Sequence, residues 1–289
     1  MKKVMIFGYG FIAKNIITYL KDEYEIHLVS RKDYDIDGIT CHPYEALTEE
    51  KKSLILAINP DVIISTIVEY GRFGQSQKYV EFVNYQLNKE IFELCQKIKN
   101  CRFVWFDTFF SKAINHEYLS AYRKSKSKFL DYLTKYNSCD DVSILCLYHV
   151  YGPGDSKGKF FHELLHTLIK YKEFKLNTDG YQKRDFIYIG DVVSALDLVI
   201  QEKEKTCAKI YEVGTGNLNT IRDAAQILRN EVESALGIKT VLDFSNRSLS
   251  DELDTLKADN LELRKIGWSP KMKLEEGMRN YVRHVAKKA

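Results

Sequence analysis

Two hydrophobic patterns alternate along the first half of the chain. Short unbroken apolar runs are each followed by stretches in which apolar positions return every three or four residues. "KVMIFG" (3–8), "EIHLVS" (25–30), "DVIIST" (61–66, just after Pro60), "RFVWFDT" (102–108) and "VSILCLYHV" (142–150) are the unbroken runs. Such runs read as strands buried on both faces. "FIAKNIITYLKDE" (11–23), residues 76–98 and residues 117–137 have the helical spacing. Strand and helix in strict alternation predict an α/β fold, a doubly wound parallel sheet with helices on both faces. After "YGPGD" (151–155) the pattern changes. "RDFIYIGDVVSALDLVIQ" (184–201) and "KIYEVGTG" (209–216) still read as strand-to-helix units, while 217–289 mixes helices and polar turns. The expected organisation is a nucleotide-binding domain over 1–150, with 184–206 returning to it. Residues 151–289 mainly form a smaller interleaved C-terminal substrate lobe.

Composition narrows this picture. A hydrophobic share of 45% over 289 residues supplies a sizeable core. A net charge of +3 argues against nucleic-acid binding by bulk charge, and leaves room for a local phosphate pocket. The six cysteines show no C-x-x-C and no zinc-ligand spacing with histidine, so no metal is expected. No stretch reaches the roughly 18 apolar residues of a membrane span, and "MKKVMIFGYG" lacks the long apolar run of a signal peptide. A soluble cytoplasmic protein with reduced thiols is the expectation.

"IFGYGFIAKN" places Gly8-x-Gly10-x-x-Ala13 directly between the first strand and the first helix. The first glycine permits a tight turn, the second lets a pyrophosphate approach the backbone, and a small third residue lets helix pack on strand. The helix N-terminus then offers its free N–H groups to the phosphates. This is the signature of a Rossmann dinucleotide site. The second strand ends in "VSRKD". An NAD site carries an acid near this point, for the ribose 2′-hydroxyl. Ser30, Arg31 and Lys32 instead suit a 2′-phosphate, so NADP(H) is expected over NAD(H). If Asp33, and not Ser30, stood at the strand end, NAD(H) would return.

"AYRKSKSKF" (121–129) carries Tyr122 and Lys126 at i and i+4, one face of a helix. Reduction of a carbonyl by hydride needs a proton donor for the alkoxide. A tyrosine serves when a nearby cation lowers its pKa. Thr108, at the end of the preceding strand, supplies a second hydroxyl for the carbonyl. With 19 tyrosines in the chain, a chance pair at this spacing is expected, and Tyr171–Lys175 is one. Tyr171 has no strand-end hydroxyl before it. The alternating Lys124, Lys126 and Lys128 otherwise read as a solvated helix face.

Taken in order, "GYGFIAK", "FDTFF", "YRKSK", "HVYGPGD", "RDFIYIGDVV" and "YEVGTG" resemble the extended short-chain dehydrogenase/reductase (NAD-dependent epimerase/dehydratase) family. The family's usual glycine loop is one residue longer and ends in glycine, not Ala13. Its usual small-residue cluster before the catalytic hydroxyl is here Phe106-Asp107. "VEYG" (68–71), "FDTFF", "HVYGPGD" and "RDFIYIGDVV" are similar to the CDP-abequose synthase group, 4-ketoreductases of CDP-4-keto-6-deoxyhexoses in bacterial O-antigen and lipopolysaccharide pathways. The resemblance implies that Tyr122 is the acid, Lys126 holds the nicotinamide ribose and Thr108 polarises the C4 carbonyl. It places Phe11, Ile12, Ile67, His149 and Val150 with the glycines in the cofactor set. His149 also falls in the substrate set, with Glu69, Tyr70 and Phe109 lining the sugar pocket and Arg184 binding the diphosphate as a bidentate donor. A homodimer through 76–98 and 117–137 is implied as well.

Plainer alternatives stand beside these roles. Arg184 and Asp185 read equally as a local ion pair, His149 as a core histidine, and Glu69-Tyr70 as a polar turn. Phe160 and Phe161 read as core, and Asp191 as a helix N-cap. The leading expectation is an NADPH-dependent reductase of a nucleotide-activated 4-keto-6-deoxyhexose. A nucleotide-sugar 4-epimerase holding NAD is the alternative. A 4,6-dehydratase needs an acid pair after Thr108, where Phe109-Phe110 stand. Asp107 precedes the threonine, and strand alternation sends it to the opposite face. A non-catalytic NADP sensor on the same fold is the reading from another class.

Overall fold

A computed structural model describes residues 1–44, 47–112, 119–135, 141–246 and 256–287. The chain divides into two compact units: Met1–Cys146 with Leu196–Tyr211, and Leu147–Ala195 with Glu212–Ala289.

The first half runs β1 (Lys3–Phe7), α1 (Phe11–Leu20), β2 (Glu25–Ser30), β3 (Thr40–Pro43), α2 (Glu49–Ile58) and β4 (Val62–Ser65). There follow α3 (Gln77–Glu81), a π-helical segment (Phe82–Leu87), α4 (Asn88–Cys95), β5 (Arg102–Thr108), a 3-10 turn (Phe109–Lys112) and α5 (Ser120–Lys135). Then come β6 (Val142–Leu147), β7 (His149–Tyr151), α6 (Phe160–Tyr171), β8 (Glu173–Lys175), β9 (Lys183–Arg184), β10 (Phe186–Tyr188) and α7 (Ile189–Gln201). β11 (Lys209–Val213), β12 (Asn219–Thr220), α8 (Ile221–Leu236), β13 (Val241–Asp243), α9 (Leu261–Lys265) and α10 (Leu274–Ala286) complete the chain.

A seven-stranded sheet has the order β11-β6-β5-β4-β1-β2-β3. β1 pairs in parallel with β2 on one side and β4 on the other, and β4 pairs in parallel with β5. The order therefore reverses beside β1, and in open α/β sheets ligands bind at the carboxyl ends of the strands at such a reversal. Val4, Met5, Ile6 and Phe7 of β1 are at most 1% exposed, as a strand covered on both faces requires. Full burial of each such side chain contributes about 1.5–3 kcal/mol.

At the amino end of β5, Arg102 is buried. Its Nε pairs with Asp141 at 3.0 Å, and its other nitrogens donate to the carbonyls of Val199 and Glu204. A buried guanidinium is tolerable because its donors are met.

The predicted strand over 142–150 is two strands. β6 lies in the large sheet, whereas β7 pairs in parallel with β10. The Val150 N–H bonds the Tyr148 carbonyl two residues back, a tight turn that redirects the chain. Asp191 lies in the first turn of α7, and its carboxylate accepts from the Lys271 and Met272 N–H groups instead of capping the helix. Asp185 is no simple ion-pair partner. It is fully buried and accepts from the N–H groups of Thr215, Gly216 and Ala258 and from the Thr215 hydroxyl.

Cys41, Cys95, Cys101 and Cys146 are free thiols, while Cys207 is in a disulfide. This corrects the expectation of reduced thiols throughout, since folding brings together cysteines that spacing along the chain keeps apart. No helix among the described residues is long and apolar enough to cross a membrane.

Candidate active site

The glycine loop follows β1 at the order reversal. Gly8 has φ +93, and a Cβ there would lie 3.0 Å from Thr66 Oγ1 and 3.2 Å from Ile67 Cγ1. Glycine at this position is demanded by the protein itself, which uses it to bring the loop against the end of β4. Gly10 is different. Its φ of −93 is open to any residue, and a Cβ there would meet nothing within 4 Å. It is the N-cap of α1, and no side chain caps that helix. Serine or threonine would stabilise this position. Glycine leaves the leading N–H groups of α1 open and the approach to them clear, as a pyrophosphate requires. Phe11 and Ile12 begin α1 half-buried, and Ala13 is fully buried against the sheet. The residues present thus fit a dinucleotide.

β2 ends at Ser30, not at Asp33. The Ser30 hydroxyl donates to the Lys32 carbonyl at 2.5 Å, which turns the chain and leaves Arg31 and Lys32 exposed. Neither cation makes an ion pair among the described residues.

α5 shows one buried face: Tyr122, Ser125, Lys126, Phe129 and Leu133. The spacing of three and four residues places all five on one stripe. Phe129 is fully buried and meets Trp105 of β5 edge-on, centroids 4.9 Å apart. This packing fixes the helix against the strand whose last residue is Thr108. The solvated-face reading of the lysine run therefore holds for Lys124 and Lys128, both exposed, and fails for Lys126, which is 3% exposed.

The Thr108 hydroxyl acts on the Tyr122 phenol, favouring its ionised form, and Thr108 Oγ1 accepts from the Phe110 N–H at 3.4 Å. The Tyr70 ring leans on Tyr122 at 4.9 Å, and the Arg72 guanidinium lies over Tyr70 at 4.5 Å. Lys126 Nζ donates to the Phe106 carbonyl at 2.5 Å and lies 4.2 Å from the centre of the Trp105 ring. Burial pushes Lys126 down to about 8, against the opposing pull of Asp107 and Cys146. Burial also holds Tyr122 well above its ordinary value, with Tyr70 adding to the rise and the Thr108 hydroxyl opposing it. The expected lowering of Tyr122 by Lys126 is not what this arrangement shows. The ammonium is aimed at the β5 backbone and the Trp105 face, and the phenol keeps its proton at neutral pH.

Asp107 and Thr108 are the last two residues of β5, which runs straight into the 3-10 turn. Asp107 is 5% exposed and acts on both Lys126 and Tyr122. Phe109 is buried, its ring 4.4 Å from that of Phe110. Glu69 forms a turn, its carboxylate accepting from the Gly71 N–H at 2.9 Å. The rival pair dissolves: Tyr171 ends α6 at 65% exposure, and Lys175 lies on β8, paired with Asp243.

His149, Val150 and Arg184 belong to the second unit. His149 and Val150 lie on β7, half-buried, in register with Phe186 and Ile187. Burial first, then the charges of Arg184 and Lys159, push His149 down to about 3, so its imidazole is neutral. Arg184 is 8% exposed and donates to the Lys183 carbonyl at 2.7 Å.

A model of the NAD dependent epimerase/dehydratase family matches residues 4–214. The chain belongs to this family. It is 29% identical to CDP-abequose synthase of Salmonella typhimurium (strain LT2), over 96% of this chain and 95% of that protein. Its fold is similar to that of a UDP-N-acetylglucosamine 4-epimerase from Methanobrevibacter ruminantium M1 solved with UDP-N-acetylmuramic acid. That match has a TM-score of 0.83 at 17% identity and covers 100% and 99% of the two chains. MoeE5, solved with UDP-glucuronic acid and NAD, matches at a TM-score of 0.81 and 17% identity, over 99% and 100%.

Within this epimerase/dehydratase chain, the site rests on polar residues that the sequence reading did not single out. Asn84, fully buried in the π-helical segment, accepts from the Glu69 N–H at 2.8 Å. Its amide donates to the Glu69 carbonyl at 2.8 Å and to Ser125 Oγ at 3.0 Å. It thereby ties the Glu69–Tyr70 turn to the helix of Tyr122 and Lys126. Asn88 accepts from Ser65 Oγ at 2.6 Å, and its amide donates to the Val83 carbonyl at 2.9 Å, filling the widened helical turn. Two asparagines inside a long apolar helix, four residues apart, were the available signal.

Proposed function

We propose that this chain is an NADPH-dependent reductase of a nucleotide-activated 4-keto-6-deoxyhexose, with a CDP sugar as substrate, serving bacterial surface polysaccharide synthesis. The observation that carries a carbonyl chemistry is the buried Thr108–Tyr122 hydroxyl pair beside Lys126. The nucleotide and the reductive direction are supported by the likeness to CDP-abequose synthase over 96% of the chain. NADPH is supported by Ser30 at the strand end with Arg31 and Lys32 exposed beyond it.

Gly8 and Gly10, with the open N-terminus of α1, hold the pyrophosphate. Arg31 and Lys32 meet the 2′-phosphate, and Lys126 meets the nicotinamide ribose. A bound dihydronicotinamide supplies the hydride. Tyr122 holds a proton that it gives to the carbonyl oxygen as negative charge develops there. Thr108 donates a hydrogen bond to the same oxygen, stabilising the charge of the transition state. Tyr122 suits the reductive direction because its burial keeps it protonated until that charge appears. Arg184 is the candidate for the substrate diphosphate, and His149, pushed down to about 3 by burial, is neutral.

The test mixes purified protein and NADPH with CDP-, dTDP-, GDP- and UDP-4-keto-6-deoxyhexoses and follows NADPH absorbance. Oxidation with the CDP sugar, faster with NADPH than with NADH, is expected. No oxidation with any of them, in protein that purifies with bound NAD, would overturn the reading in favour of a 4-epimerase.

A further inference from the structure

Beside the apolar stripe of α6 stands the run "HELLH" (162–166), for which the proposed reaction has no use. Phe161, Leu164, Leu165 and Leu168 form the buried stripe, while His162 is half-buried and His166 exposed. At i and i+4 the two histidines are neighbours on one helix face. Their ring centroids are 4.2 Å apart, with the planes tilted by 41°. His162 Nδ1 lies 2.9 Å from the Asp155 carbonyl. A carbonyl oxygen only accepts, so Nδ1 carries the proton, and in the neutral ring Nε2 keeps its lone pair. Asp155 is itself held in place. Its N–H donates to the Gly152 carbonyl at 3.1 Å, and its buried carboxylate accepts from the Ser156 N–H at 2.9 Å and pairs with Lys159 at 2.8 Å. Such a bond from the far ring nitrogen to a fixed carbonyl is how a metal-ligating histidine is oriented. No hydrogen bond among the described residues engages the His166 ring.

We propose that His162 and His166 form a two-imidazole chelate for Zn2+, a site that does not depend on the proposed reaction. Zinc takes imidazole nitrogen at about 2.0–2.1 Å, so two such ligands at a tetrahedral angle stand about 3.3 Å apart. Rings whose centres are already 4.2 Å apart reach that separation by small side-chain rotations on a rigid helix. Imidazole favours zinc over the hard cations Mg2+ and Ca2+, which take oxygen ligands. Among the described residues no third histidine, cysteine or carboxylate completes the set, so water fills the remaining positions. His-Glu-x-x-His on a helix also supplies two zinc ligands and a general base in metalloproteases. Glu163 is not placed for that task, because its Oε1 accepts from the Gly158 N–H at 2.8 Å. Metal binding, and not hydrolysis, is what this geometry supports. The other close histidine pair is spent on itself: His27 Nδ1 lies 2.9 Å from His42 Nε2, and His27 Nε2 meets Glu25 at 3.1 Å.

The experiment uses the full chain without an affinity tag, stripped with a chelator and titrated with zinc chloride in a calorimeter at neutral pH. Saturable binding is expected, and an excess of Mg2+ should not compete with it. His166→Gln changes an exposed side chain and should fold as the wild type does. It and His162→Gln are each expected to weaken zinc binding about tenfold or more, since losing even an outer partner of a metal ligand costs that much. In wild-type protein carrying 15N-labelled histidine, zinc should shift His162 Nε2 while Nδ1 keeps its proton. No binding in the wild type overturns the proposal. So does binding that is unchanged in His166→Gln, or that is lost in His42→Gln instead. Zinc that leaves the His162 and His166 resonances where they were overturns it too, whichever variants fold. None of these outcomes involves NADPH oxidation, so failure of the proposed reaction leaves the metal site standing, and the reverse.

Discussion

Tyr122 and Lys126 share one face of α5 yet carry opposite burdens. Burial keeps the phenol protonated and pulls the ammonium toward neutrality. Tyr122→Phe removes one oxygen and keeps the ring on Tyr70. The variant is expected to bind NADPH as the wild type does and to lose turnover a hundredfold or more, on the order of an acid–base contribution. Cofactor titration by fluorescence and a rate assay read the two separately, and normal turnover would dismiss Tyr122 as the acid. This pair was legible in sequence because i and i+4 on a helix is a fixed geometry, and because Thr108 closes an unbroken apolar run. The raised pKa of Tyr122 was hidden. It comes first from burial and then from Tyr70, and both are set only by the fold.

At the scale of elements, the apolar runs marked β1, β2, β4 and β5 to within a residue. β3 and α2 were missed. "TCHP" has no apolar run, and α2 is held by the Thr48 cap on the Lys51 N–H more than by an apolar stripe. The single helix read over 76–98 is instead α3, a π-helical segment and α4. A widened turn of this kind often marks a functional site, and its cause here is tertiary. Asn84 bonds the Glu69 turn and Ser125, and Asn88 fills the gap. Helical periodicity could not show this, because both partners of Asn84 are remote in sequence. Asn84→Ala would strand the Glu69 N–H and carbonyl and cost the Ser125 Oγ its buried donor, though that hydroxyl still donates to the Tyr122 carbonyl. The expected loss is about 1–3 kcal/mol in urea unfolding. Turnover should fall more than NADPH affinity does, because Tyr70 would no longer be held against Tyr122. An unchanged unfolding midpoint would mean that the Glu69 turn is secured elsewhere.

For the whole molecule, alternation of strand and helix was enough to read a doubly wound sheet. It was not enough to place β11 beside β6, a pairing made across distant sequence. The same burial that shapes the site sets how stability depends on pH. Tyr44 is pushed up to about 12 by burial, and burial likewise raises Tyr24, Tyr122, Tyr151 and Tyr281. In an unfolded chain these phenols ionise near 10. Above that pH the unfolded state therefore binds fewer protons than the folded one, and stability falls, by about 1.4 kcal/mol per pH unit for each tyrosine. Lys126 has the opposite sign. Folded, it loses its proton near 8, and unfolded, near 10.5. Between those values the unfolded state binds more protons, so stability rises with pH, and above 10.5 the contribution is level. Tyr9 and Tyr211 are raised by burial as well, and so is the Cys41 thiol, while Cys95 is raised by its bond with Cys101 and then by burial; the two thiols fall in the same sense from about 9. Urea unfolding free energies measured from pH 8 upward should change little to about 9, decline above it, and turn to a steeper drop near 10. A decline above the turn no steeper than a single group gives would mean that these phenols ionise freely in the folded protein, and that Tyr122 is not the tightly held proton its burial implies.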